Sequence, residues 1–280
     1  MKPVGALSRS VGVLQRNPVI VGILFVFSLL STVASSVQIV DPLLVYPSLG
    51  VIYLLMPFFV GGLIAFVHDG LDGAASLDRF VTAGKANYVR LLVGGLLLGV
   101  VTFVLYFVVA FVFVIGAAIV LGTAGQGIAT LAPIALVGLV ALLIVLLPWF
   151  FSQFFPAMIV VDGDGIADSF RRSASLVRSQ FLSVVGFDFL AFAISFVAQL
   201  PTFWLLYDTL SGETALMQPQ TRSRTIFDLF STSELTLFLG SSLLVGTLVG
   251  SLLYTYYVVY FDDLSTIART PSAADDAPKV

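Results

Sequence analysis

Six long apolar runs alternate with short polar stretches along this chain. The runs are Pro18–Val40, Leu43–Val67, Tyr88–Leu121, Leu131–Val161, Phe181–Tyr207 and Leu235–Phe261. Each meets the roughly 20 residues that a helix needs to cross a bilayer. The third run is too long for one upright helix, so it must tilt or project beyond the lipid. The first run is expected to be an uncleaved helix: Ala34-Ser35-Ser36 resembles a cleavage site, but the basic region and apolar run before it are both long for a leader.

The polar stretch from Asp162 to Phe181 sets the pattern for the rest. At 100° per residue, Ile166, Phe170, Ala174, Val177 and Phe181 fall within an arc of about 80°. Asp164, Asp168, Arg171, Arg172 and Arg178 share the opposite face. The spacing predicts a basic amphipathic helix capped by Asp164, lying in the membrane interface beside a span. A shift of 93 residues brings Asp69-Gly70 onto Asp162-Gly163, Arg79 onto Arg172 and Lys85 onto Arg178. A further shift of 70 brings Arg9 onto Arg79 and Asn17 onto Asn87. The chain is therefore expected to be all-α and integral to the membrane. Six transmembrane helices form three helical hairpins, each preceded by an interfacial amphipathic helix. The repeats cover about 1–68, 69–161 and 162–262, which together make one transmembrane domain, and 263–280 is expected to be a disordered cytoplasmic tail.

Several details refine the spans. Pro57 and Pro148 should kink the second and fourth, so that neighbours must satisfy freed backbone groups. Gly95/Gly99 and Gly246/Gly250 are spaced for close helix contact. Tyr254, Tyr256, Tyr257 and Tyr260 form an aromatic belt at one end of the sixth span. Residues 208–233 form the longest polar loop, in which Thr225–Phe230 is a candidate amphipathic piece on the outer surface.

Charge fixes the expected orientation. Eleven lysines and arginines fall on the side that holds both termini and the three basic stretches, against two, Arg222 and Arg224, on the other. By the positive-inside rule the termini and the basic helices are cytoplasmic, and the protein is a multi-pass protein of the cell membrane. Composition agrees: 59% of residues are hydrophobic and 10% charged, with a mean hydropathy of +1.07. Soluble domains carry about 25% charged residues. Acids are mostly aspartate and lysines number three, as suits the acidic, lysine-poor surface of a halophile.

Candidate chemistry is sparse. There is no cysteine, which excludes disulfides and thiol catalysis. His68 is the one histidine, ends the second run and makes no metal site by itself. Asp162-Gly163-Asp164-Gly165 resembles the start of a calcium loop, but Ser173 stands where the loop needs its last glutamate. No phosphate loop, nucleophile–base set or nucleic-acid motif occurs, and no cofactor is implied. Asp188 is the one acid well inside a span, which marks it as a functional candidate. It either hydrogen-bonds Gln153, with Ser152 nearby, at similar depth on the neighbouring helix, or reaches to the inner interface. Arg9, Arg79, Arg172, Lys85 and Arg178 either contact lipid phosphates or simply set topology.

The chain resembles a family of haloarchaeal multi-pass membrane proteins of unknown function over about residues 5–262. The resemblance rests on Pro57-Phe58-Phe59-Val60-Gly61-Gly62-Leu63, Phe80 through Leu92, Ile159-Val160-Val161-Asp162, Phe170-Arg171-Arg172-Ser173 and Leu176-Val177-Arg178. More distantly it is similar to the membrane domain attached to some glycerophosphodiester phosphodiesterases, whose soluble catalytic barrel it lacks. The resemblance implies location and fold but no activity. The function expected is non-enzymatic: an accessory, scaffolding or lipid-organising role, with membrane lipids or other membrane proteins as partners and no nucleic acid. The competing expectation is a small-solute or lipid transporter that uses a polar site near Asp188, with Gln153 and Gln199.

Overall fold

A computed structural model describes residues 3–40, 42–73, 75–124, 128–212 and 231–269. All regular structure among them is helical. The elements are α1 (Pro3–Arg16), α2 (Val19–Val40), a 3₁₀ turn (Pro42–Leu44), α3 (Val45–Leu71), α4 (Leu77–Ala124), α5 (Ile128–Ser152), α6 (Phe155–Val161), α7 (Ile166–Ser179), α8 (Phe181–Gly212) and α9 (Thr232–Arg269). Six stretches are long and apolar enough to cross a membrane: Val19–Val37, Tyr46–Leu71, Leu77–Val120, Ile134–Val161, Phe181–Trp204 and Leu235–Ile267. Large apolar side chains such as Phe103, Phe107, Val140, Phe192 and Leu244 are exposed along them. Water would not tolerate so much uncovered apolar surface, and a bilayer covers it. The chain is a multi-pass membrane protein.

Two compact units divide the chain: residues 1–87 with 180–280, and residues 88–179. In the first, α9 is the central helix, with α1, α2, α3 and α8 packed on it. Its buried side chains include Tyr256, Val259, Tyr260, Phe261 and Leu264, and Ile20, Val67, Val184 and Phe187 of the other helices in this unit are buried too. Phe187 stacks on Tyr260 with centroids 4.4 Å apart. A Cβ on Gly246 would lie 3.5 Å from Ser28 and one on Gly250 3.5 Å from Leu24, both of α2, as expected of small residues at a helix crossing. A second close approach joins α3 to the start of α4. A Cβ on Gly62 would sit 2.6 Å from the Phe80 carbonyl, and one on Gly84 would sit 2.8 Å from that of Phe58. Only glycine admits backbones this near. Phe58, Phe59 and Phe80 fill the space around the crossing edge-to-face.

In the second unit, the fourth run is not one helix. It breaks at Gln153–Phe154 between α5 and α6. Pro156 explains the break: it has no N–H to give the Ser152 carbonyl, and its ring crowds that carbonyl. Ser173 of α7 repairs the damage. Its hydroxyl donates to the Phe151 carbonyl at 2.9 Å and accepts the Phe154 N–H at 3.2 Å. Phe155 stacks on Phe170 at 4.6 Å and joins Leu91, Leu98 and Ile159 in the buried core. Within α4, a Cβ on Gly94 would sit 2.8 Å from the Phe155 ring.

Three boundaries differ from expectation. The second basic stretch does not end before its span: α4 runs unbroken from Leu77 through Tyr88 to Ala124. Ser76 caps it, accepting the Arg79 N–H at 3.2 Å. α7 begins at Ile166 after a turn through Gly163, whose φ is +74°, and Asp164 turns to Arg172 instead of capping the helix. At the other end α9 continues to Arg269, so the helix includes 263–269; Asp263 and Leu264 are buried there. The loop piece Thr225–Phe230, together with Arg222, Arg224 and residues 270–280, lies outside the described residues.

Candidate functional site

The charged residues near the ends of the spans form specific pairs. Arg79 Nε donates to Asp69 Oδ2 at 3.0 Å. Arg172 donates to Asp162 Oδ2 at 2.7 Å and also to Asp164. In both cases the arginine lies ten residues after the aspartate that closes the preceding apolar run. Arg9 of α1 donates to Asp263 of α9, 254 residues away. Here too the aspartate follows the end of an apolar run, the sixth.

Local structure places each partner. The α6–α7 turn bends back through Gly163 and brings Asp162 and Asp164 over one turn of α7. Partial burial works against the Arg172 charge, but the two carboxylates outweigh it and hold the guanidinium above the ordinary arginine value. Asp263 is almost wholly buried, whereas Arg9 is half exposed. The other carboxylate oxygen of Asp263 has no hydrogen-bond partner among the described residues. His68 stands between Asp69 and Asp262, 3.9 Å and 3.8 Å from their carboxylates. It thus lies between the ends of α3 and α9.

Three of the five expected phosphate contacts, Arg9, Arg79 and Arg172, therefore already have carboxylate partners. Sequence reasoning found the arginines but missed their acids. The ten-residue interval between Asp69 and Arg79, repeated at Asp162 and Arg172, was the available signal. Lys85 and Arg178 are exposed and have no carboxylate partner among the described residues. Arg178 lies over the Phe151 ring, 5.5 Å from its centroid.

Of the residues expected in an intramembrane site, Ser152 and Gln153 belong to the second unit and Asp188 and Gln199 to the first. Ser152 donates to the Pro148 carbonyl and Gln153 to the Phe150 carbonyl at 3.1 Å, both within the second unit. Asp188 belongs to the first unit, on α8, where its carboxylate lies within electrostatic range of Tyr256 and Tyr260 of α9. Tyr260 donates to Ser183 at 2.8 Å. The Tyr256 hydroxyl is buried and has no hydrogen-bond partner among the described residues. Gln199 is exposed on the same helix, eleven residues beyond Asp188.

Among the described residues, no group of three or more His, Cys, Asp or Glu side chains is arranged to hold a metal ion. No curated protein and no solved structure matches the chain. One family model matches residues 1–264, nearly the whole length, and it describes a domain of unknown function. The chain belongs to that family, DUF7847.

Proposed function

We propose that this protein is a non-catalytic membrane component with an accessory, scaffolding or lipid-organising role. Its six spans form three helical hairpins, and basic amphipathic helices tie them together at the cytoplasmic face. The observation that carries this is the set of arginine–aspartate ties. The charges that a transporter or enzyme would turn toward a substrate are here engaged with one another, joining basic helices to span ends.

The same ties support an internal threefold repeat. Asp69–Arg79 and Asp162–Arg172 match under the 93-residue shift. Asn17 and Asn87 match under the 70-residue shift, and each donates to the carbonyl four residues back at 3.1 Å. In the third tie the order is permuted: Asp263 comes from near the end of the chain and Arg9 from its beginning. Lipid phosphates and other membrane proteins are the partners this surface suits. The acidic, lysine-poor composition suits a cytoplasm of high salt.

A second reading rests on one observation. The buried Tyr256 hydroxyl without a partner, with Asp188 close by, is the kind of polar group that a transported solute or proton would use. Purified protein in sealed phosphatidylcholine vesicles separates the two. A scaffold adds no flux of protons or small solutes over empty vesicles and leaves the lipid chemically intact. Flux that Asp188→Asn abolishes would establish transport instead.

A further inference from the structure

Each basic helix carries further cations beyond the one that is tied. They include Arg16 and Arg178, each three residues before a span, at Val19 and Phe181, and Lys85, three residues before the apolar run that opens at Tyr88 within the helical stretch Leu77–Val120. All three are exposed. None has a carboxylate partner among the described residues. Arg16 and Arg178 lie at or beside the ends of α1 and α7, just before a span begins, and Lys85 precedes Tyr88 on α4 by about 4.5 Å of helix rise, so all three positions suit the level where an apolar run gives way to lipid headgroups. Lysine and arginine stems are long enough to lie along the lipid while the charge stays among the phosphates.

Two of the three could be explained without a ligand. Arg16 and Arg178 fall in the last turns of α1 and α7, where a cation suits the helix dipole. That explanation fails for Lys85, because α4 continues through it to Ala124 and no helix end is near. A bridge to a neighbouring acid fails for all three. The Arg178 guanidinium lies within cation–π distance of the Phe151 ring, a contact that leaves its N–H groups for an anion.

We propose a division of labour among the cations of each basic helix. One, Arg9, Arg79 or Arg172, ties the helix to a span, and another, Arg16, Lys85 or Arg178, binds the phosphate of an anionic lipid headgroup. The three contacts are separate, one on each helix. This rests on the lipid-organising role proposed above and assigns its contacts to particular residues. The partner is a lipid rather than a free phosphate because each cation adjoins an apolar run that would hold the acyl chains.

The test uses the full chain in a zwitterionic detergent, titrated with phosphatidylglycerol, phosphatidylcholine or inorganic phosphate, with bound lipid counted by native mass spectrometry. Removing one cation should weaken phosphatidylglycerol binding about fivefold. We expect this for Lys85→Gln and Arg178→Gln, with phosphatidylcholine binding unchanged and Lys85→Arg restoring the wild-type affinity. Wild-type phosphatidylglycerol affinity in both glutamine variants would overturn the proposal, as would failure of Lys85→Arg to rescue. Displacement of the lipid by an equal concentration of inorganic phosphate would overturn the choice of a lipid. Release of a headgroup from bound lipid during the incubation would instead sink the non-catalytic role, while leaving the phosphate contacts in place.

Discussion

Arg9 pairs with Asp263 across almost the full length of the chain, joining α1 to α9. The carboxylate is buried and the guanidinium half exposed, so removing the arginine leaves a buried charge unmatched while removing the acid leaves a cation that water can reach. Arg9→Gln should therefore destabilise more than Asp263→Asn. The loss for a fully buried pair is about 3–5 kcal/mol, and solvent on the arginine side should reduce it to about 2. Thermal unfolding in detergent measures this. Equal, negligible effects of the two substitutions would show that the pair is incidental.

The break between α5 and α6 makes a second prediction. Ser173→Ala leaves the Phe151 carbonyl and the Phe154 N–H without their side-chain partner. An unsatisfied buried polar group costs about 1–3 kcal/mol. Ser175, two residues on and exposed, is the matched control. Unfolding midpoints should fall for Ser173→Ala and hardly move for Ser175→Ala.

Glycine substitutions should divide by location. Gly62→Ala and Gly84→Ala place a methyl against the backbone of Phe80 and Phe58. Backbone yields less readily than a side chain, so a loss of about 1–3 kcal/mol is expected. Gly12 has nothing within 4 Å of its would-be Cβ and lies within α1. Gly12→Ala should stabilise by about 0.5–1 kcal/mol through helix propensity alone. A stabilised Gly62→Ala variant would mean that α3 and α4 do not approach as closely as described.

What the sequence made legible follows from what is local. Each apolar run carries its own length signal, so the six spans could be read directly. The face of α7 was legible because Phe170 and Val177 recur at helical spacing. Ser173 shares that helix, but its task depends on a break that Pro156 makes in another segment, within a run that is apolar throughout. Asp69 and Asp162 were visible as turn residues; their role as arginine partners needed the chain to bend back through Gly73 and Gly163, both at positive φ. Asp263 was less accessible still, because nothing nearby in sequence hints at Arg9. For the same reason the tail was expected to begin where the helix in fact continues. Asp188 was identifiable as an acid in a span, but its tyrosine neighbours come from α9, about 70 residues later.

We propose that the three basic helices all lie on the cytoplasmic side of the membrane. The chain has no native cysteine, so single cysteines report topology without background. Ser8→Cys on α1, Asp78→Cys on α4 and Ser175→Cys on α7 are exposed positions on those helices, and Ser233→Cys opens α9 at the far end of its span. With an impermeant maleimide added to intact cells, the account predicts labelling of Ser233→Cys alone, and of the other three only after the membrane is opened. Labelling of any of the three basic-helix cysteines from outside would contradict it.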